Sequence, residues 1–205
     1  MITTERPSLA GLIHAVAQAG SPSELISAVQ QLADQRSEEA IPHLVKVLGY
    51  NNPSAAEIAM QGLIALGASA VPPLLALMDD YNYTARAYTV RVLAHIGDPR
   101  AVDCLIHCAL HDFAPSVRRA AIKGLGCIVK KSGDRSLDLP IFHTLQTILK
   151  DEDWSMRYAA IASLSCFSSH FSASRQLLQS ALGTEVDPVV KARLHLALQQ
   201  ISSAT

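Results

Sequence analysis

Apolar residues recur along the chain in short blocks at i, i+3, i+4 and i+7, the period of an amphipathic helix. Four such blocks are Ile41–Leu48, Val71–Met78, Val102–Leu110 and Ile141–Leu149, and each follows an alanine-rich block that ends near a leucine. Those leucines, Leu32, Leu63, Leu93, Leu125, Leu164 and Leu198, are spaced by 31, 30, 32, 39 and 34 residues. The surrounding text recurs as well: Arg86-Ala87-Tyr88-Thr89-Val90, Arg118-Arg119-Ala120-Ala121-Ile122 and Arg157-Tyr158-Ala159-Ala160-Ile161. Turn formers separate the blocks at Gly67-Ala68-Ser69, Gly97-Asp98-Pro99 and Ser132-Gly133-Asp134. Glycine past a helix end supplies a left-handed cap, and proline beyond it stops the helix. Asn52-Pro53, Ala114-Pro115-Ser116 and Asp187-Pro188 put proline where a helix starts without losing a hydrogen bond. A two-helix repeat of this length cannot bury its apolar faces alone and must stack on its neighbours. The pattern predicts an all-α chain, an α-solenoid of about five helix pairs plus a terminal helix. It is read as a single domain over residues 1–205, with 1–20 an N-terminal cap, 130–138 a loop insertion and 186–205 a C-terminal cap helix.

An acid stands six residues before a base in four successive units: Asp80/Arg86, Asp112/Arg118, Asp151/Arg157 and Glu185/Lys191. Six residues reach from the end of one helix into the first turn of the next, so each acid can meet its base across the turn. The bland role for such a ladder is pairing between repeats. The rung is missing in the second unit, where Tyr50 and Ala56 take those places.

Composition narrows the function classes. Net charge is −1, so bulk electrostatics favours neither nucleic acid nor an anionic membrane surface. Mean hydropathy is +0.21, yet no apolar run is read as approaching the roughly 18 residues of a membrane span, so membrane insertion is not expected. The start, Met1 to Pro7, lacks a basic segment followed by an apolar one, and no secretory signal is read. Cys104, Cys108, Cys127 and Cys166 form no CxxC pair, which suits free thiols in a reducing, cytoplasmic compartment. Two enzyme classes built on helical repeats are excluded as well. Di-iron hydroxylases use His-Glu dyads, and no histidine here is followed by glutamate; alkylpurine glycosylases need a basic groove.

The turn Gly97-Asp98-Pro99-Arg100-Ala101-Val102 and the opening Val117-Arg118-Arg119-Ala120-Ala121 resemble the short HEAT-like repeats of phycobilisome lyases. The segment from Asp79-Asp80-Tyr81-Asn82-Tyr83 to Arg100, with Gly49-Tyr50-Asn51-Asn52-Pro53, resembles the F-type subunit of heterodimeric E/F phycocyanobilin lyases. The resemblance covers residues 20–200. It implies a lyase subunit that binds phycocyanobilin and attaches it through a thioether to a cysteine of the phycocyanin α subunit, as a heterodimer with an E-type subunit. Phycocyanobilin is then the substrate, and no permanent cofactor is implied. The implied setting is the cytoplasm, with association to phycobilisomes on the thylakoid surface as the finer expectation. The competing class is a non-catalytic scaffold that binds phycobiliproteins during phycobilisome assembly or degradation. Isomerising relatives carry a His-Cys pair in a longer polar motif, whereas His107-Cys108 stands between Ile106 and Ala109.

Candidate chemistry gathers in three places. Tyr81, Tyr83 and Tyr88 cluster in a chain that is otherwise poor in aromatics, and a tyrosine suits a flat conjugated ligand or a protein interface. Arg91, Arg100 and Arg119 stand outside the ladder and are free to clamp a bilin propionate. Asp79, Asp98 and Asp112 can accept from pyrrole N–H groups. Trp154, the sole tryptophan, is either a plug between repeats or a ligand contact. On a helical wheel from Val102, the residues Cys104, His107, Cys108 and His111 fall opposite the apolar stripe. Zinc would need ligands from a second segment, so no metal site is assigned. The thiols either add transiently to the bilin or line a groove. The candidate catalytic residues are therefore Asp98, Cys104 and Cys108, and the candidate bilin-binding residues are Tyr81, Tyr83, Tyr88, Arg91, Arg119 and Trp154. An exposed apolar C-terminal helix, Val189–Ile201, is read as the partner site.

Overall fold

A computed structural model describes residues 7–79, 82–167 and 171–203, and among these every regular element is helical. The single domain read from length resolves into two compact units, Met1–Val92 and Leu93–Thr205.

In the first unit, α1 (Leu9–Gln18) and α2 (Pro22–Asp34) pack together, and α2 packs on α4 (Pro53–Leu66). The second helices of the pairs, α3 (Ile41–Val47) and α5 (Val71–Ala76), pack on each other, and α3 also packs on α4. Leu32, Leu44, Leu48, Met60, Leu63 and Leu74 are the largest of its fully buried side chains. The unit boundary falls inside α6 (Tyr83–Ile96).

The second unit repeats the scheme. The first helices α8 (Pro115–Lys131), α10 (Trp154–Leu164) and α12 (Pro188–Ser203) stack in order. The second helices α7 (Val102–His111) and α9 (Asp138–Ile148) pack against them and against each other, and α11 (Ser172–Thr184) packs on α12. Leu93, Leu105, Ile122, Leu125, Ile128 and Phe167 are fully buried.

The punctuation read from sequence works as physics requires. Pro53, Pro115 and Pro188 each open a helix, and the Asn52 side chain caps α4 by accepting from the Ala55 N–H at 3.0 Å. Gly67, Gly97 and Gly133 have φ of 64°, 68° and 67°, which a residue with a Cβ rarely adopts. Of the six leucine anchors, five are fully buried. Leu198 is only half-buried, because α12 turns Val190, Leu194, Ala197 and Ile201 inward instead.

Two expectations about the elements need correction. The loop expected at 130–138 is mostly not a loop: Lys130 and Lys131 end α8, a 3-10 turn covers Arg135–Leu137, and Asp138 opens α9 nearly buried. The long spacing lengthens α8 to 17 residues instead of bulging outward. The stretch Pro53–Ala76 is, at 24 residues, long and apolar enough to cross a membrane by composition. It is not a single rod, because Gly67 at positive φ and a 3-10 turn break it between α4 and α5.

The acid–base ladder is real but staggered. Arg118 pairs with Asp151, not Asp112, and its Nε donates to the Ala109 carbonyl at 3.0 Å. Arg157 makes two parallel bonds to Glu185, from Nε at 2.8 Å and Nη2 at 2.9 Å. Its Nη1 also donates to the carbonyls of Asp151 and Glu152. Arg118 and Arg157 therefore each grip the backbone of their own turn and the carboxylate of the next one. Asp112 and Asp187 also accept from backbone N–H groups just after them.

Close helix contacts rest on glycine. A Cβ on Gly126 would lie 2.8–2.9 Å from Ser163 of α10, and one on Gly124 would lie 2.7 Å from Ala94 Cα. Alanine gains about 1 kcal/mol of helix propensity over glycine, but overpacking costs about 1–3 kcal/mol. Gly126→Ala is therefore expected to lower stability by up to about 2 kcal/mol in urea unfolding. A more stable variant would mean that α8 and α10 can move apart freely.

Candidate functional site

The candidates of the first unit sit on the opening turns of α6. Asn82 caps that helix by accepting from the Ala85 N–H at 3.0 Å. Tyr83 is exposed, with the Arg86 guanidinium 5.8 Å from its ring centroid, and Arg91 stands 5.4 Å from the Tyr88 ring. Tyr81 and Asp80 lie outside the described residues. Arg91 is not unpaired as the sequence suggested: Glu57 of α4 lies 3.7 Å away, both side chains being half exposed. An ion pair that open to solvent contributes little, so Arg91 can exchange Glu57 for another carboxylate at small cost.

In the second unit, Asp98 and Arg100 satisfy each other. Asp98 Oδ1 accepts from the Arg100 backbone N–H and Nε, both at 2.9 Å, and Oδ2 accepts from Nη2 at 2.8 Å. The Arg100 side chain holds the Asp98 carboxyl below the usual carboxylate range. Asp98 is therefore an ionised turn-former with both oxygens engaged. It is a poor proton donor, and the freedom expected of Arg100 is absent.

Helix α7 turns its thiols differently from the wheel drawn from Val102. Its buried face runs through Val102, Leu105, Cys108 and Ala109, so Cys108 lies in the core and Cys104 flanks it, half-buried. The stripe is centred on Leu105 rather than Val102 because α7 packs on both α8 and α9. His107 and His111 are exposed, with ring centroids 5.1 Å apart. The Cys108 thiol hydrogen-bonds Cys104 and pulls the Cys104 pKa below that of an ordinary thiol, against the opposing effect of burial. Among the described residues no three His, Cys, Asp or Glu side chains gather as a metal site.

The α8–α10–α12 stack carries the remaining candidates. Arg119 Nη1 donates to Ser155 Oγ at 3.1 Å, one residue from Trp154. Asp153 caps α10, and the Ser155 hydroxyl and N–H hold its carboxyl low, with help from Arg119 and Arg118. Trp154 is 48% exposed and so does not plug the repeats. Sequence reasoning missed its neighbours. Tyr158, one helical turn on, is also exposed, and Arg193 of α12 stands 5.9 Å from its ring. Val189 and Leu196 lie on the same flank of α12 as Arg193 and are 49% and 45% exposed. The i, i+4 spacing of Trp154 and Tyr158 was the available signal.

A family model described as HEAT repeats matches residues 71–140 and 110–199. A phycocyanobilin lyase subunit beta from Nostoc sp. (strain PCC 7120) is 45% identical over 92% of this chain and 98% of its own length. The chain belongs to the phycocyanobilin lyase beta-subunit family. A second such lyase subunit, from Thermosynechococcus vestitus (strain BP-1), is 47% identical over 95% of this chain and 96% of its own. Among solved structures, a chain in the complex of CpcE and CpcF of phycocyanin lyase from Nostoc sp. PCC 7120 aligns with a TM-score of 0.72 at 45% identity. The alignment covers 78% of this chain and 99% of that one. In this lyase subunit of helical repeats Tyr83, Arg91, Trp154 and Tyr158 are exposed on first helices of the pairs, while Cys108 lies in the core.

Proposed function

We infer that this chain is one subunit of a heterodimeric bilin lyase. With an E-type subunit it binds phycocyanobilin as substrate and delivers it to a cysteine of the phycocyanin α subunit. The near full-length identity of 45% to a phycocyanobilin lyase subunit carries this reading. In the reaction the acceptor sulfur bonds to the ethylidene carbon of the bilin and a proton passes to the ring, so no atom leaves. The lyase supplies binding and orientation, and the attacking sulfur belongs to the acceptor. Tyr83, Tyr88 and Arg91 are assigned to the chromophore, as is Tyr81. Arg119 is assigned to a second contact with it, and Trp154 beside it to the partner interface. The exposed flank of Trp154, Tyr158, Val189 and Leu196 is assigned to the E-type subunit, whose contact would cover apolar surface that water now faces. The work takes place in the cytoplasm, beside phycobilisomes on the thylakoid surface.

The test of the whole reading mixes both subunits, phycocyanobilin and unmodified phycocyanin α subunit. A covalent blue α subunit that forms only with both lyase subunits supports it; equal yield without this chain overturns it.

The Cys104 thiol is hydrogen-bonded to the Cys108 thiol, a weak base, and Cys108 is 3% exposed. Cys104→Ser with Cys108→Ala is therefore expected to retain most of the transfer rate. Cys108 takes alanine because serine would bury a hydroxyl. A blue band covalently attached to this chain on a denaturing gel, lost in the double variant, would make Cys104 a nucleophile.

A further inference from the structure

The rung missing at Tyr50 and Ala56 lies beside a groove that Tyr50 helps to line. Arg118 and Arg157 each stand three residues beyond the opening residue of their helix, and each reaches the acid of the next turn. In α4 the corresponding position is Ala56, which is fully buried and sends nothing outward. The neighbouring turns are joined instead by a short neutral link, Asn82 Nδ2 donating to the Gly49 carbonyl at 3.1 Å. Gly49 is held to glycine by that approach, since a Cβ there would lie 2.9 Å from Asn82 Nδ2. Beside this link the groove has a volume of about 380 Å³. Its apolar lining comes from Pro42, Val45, Leu77 and Ala85, and its polar side chains include Lys46 and Tyr50. Tyr50 occupies the place of the missing acid. Lys46 is exposed, and no carboxylate among the described residues pairs with it.

We propose that this groove is a subsite for one propionate-bearing end of the bilin, with Lys46 pairing the propionate and Tyr50 lying against a pyrrole ring. The proposal rests on the lyase reading and extends it to residues outside the α6 cluster. The volume is near the low end of ligand pockets, about 300–1,000 Å³, which suits part of a linear tetrapyrrole and not all of it. An apolar lining takes the ring edges. A flexible ammonium with three donors follows a mobile propionate more readily than a fixed guanidinium fork does. At position 50 the rim has tyrosine in place of the acid that the regular rungs carry, which removes one like charge from the path of a carboxylate.

The experiment titrates phycocyanobilin and its dimethyl ester into the purified heterodimer, followed by absorbance, with wild-type chain and with Lys46→Ala, Lys46→Arg and Tyr50→Ala. The ester keeps the rings and removes the charges. Lys46→Ala should weaken the free acid about fivefold and leave the ester within about twofold, while Lys46→Arg retains most of the free-acid affinity. Tyr50→Ala should weaken both forms alike, because ring contact is indifferent to esterification. If Lys46→Ala leaves the free acid unchanged, or weakens both forms equally, the subsite is wrong and the lyase reading stands. If the wild-type heterodimer binds neither form, the lyase reading fails and the subsite with it.

Discussion

Arg157→Ala is expected to destabilise the second unit by about 3 kcal/mol, the low end of the cost of breaking a buried pair. The Arg157 and Glu185 side chains are only 15% and 9% exposed, and the two bonds between them are parallel and short. Alanine leaves the carboxylate nearly buried with no cation. The N–H groups of Val186 and Asp187 still donate to it at 3.0 and 2.9 Å, which keeps the loss from being larger. At about 2–4 °C per kcal/mol for a chain of this size, Tm should fall by about 6–12 °C. Lysine at 157 should recover only part of this, since it cannot form the bidentate pair. Glu185 also sets an acid limit. The Arg157 guanidinium lowers its pKa from 4.5 to about 2, so the folded value lies below the unfolded one. The pair's contribution is complete above about pH 4.5 and fades as pH falls toward 2. The stability difference between wild type and Arg157→Ala should therefore shrink across that window. A Tm within 2 °C of wild type at neutral pH would mean that the bond contributes nothing.

Affinity for the E-type subunit is expected to fall about 100-fold when Trp154 and Leu196 are both replaced by glutamate, equivalent to about 3 kcal/mol. Both side chains are about half exposed on neighbouring first helices, so glutamate at either position meets water in the free chain. In a complex the same carboxylates would be buried without partners. Trp154 carries the larger share, because tryptophan dominates interface energetics. Sedimentation or calorimetry measures the association, and circular dichroism checks that helicity is unchanged. Wild-type affinity in the double variant would place the contact elsewhere.

The helix pairs were legible because period, proline and glycine act locally. A proline at the opening residue of α4, α8 and α12 sets each start whatever surrounds it. The ladder was legible as a pattern and not as a pairing. Six residues bring Arg157 to the backbone of its own turn, but a side chain of that length reaches past it to Glu185. Cys108 was misplaced because a single-stripe wheel assumes one buried side, whereas α7 is packed from two. Arg91 and Arg100 looked free because their partners are set by tertiary neighbours and turn geometry. Glu57 belongs to another helix, and Asp98 folds back onto a residue two positions on. Lys46 could not be singled out, because an exposed lysine gains meaning only when a gap opens beside it.

Because each rung belongs to one repeat through its helix and to the next through its carboxylate, neighbouring repeats share free energy at their turns. In a one-dimensional array such sharing fixes where opening can begin. Breaking the Arg157–Glu185 bond frees the start of α10 and the turn before α12 together, so amide protons in both should exchange through one joint event. Ala56 offers no such link. The Gly49–Asn82 contact is a neutral hydrogen bond, and the amides that open α4 should exchange on their own at lower free energy. The gap in the ladder is thus also a hinge of stability, and any bound molecule that spans it would slow exchange on both of its sides at once.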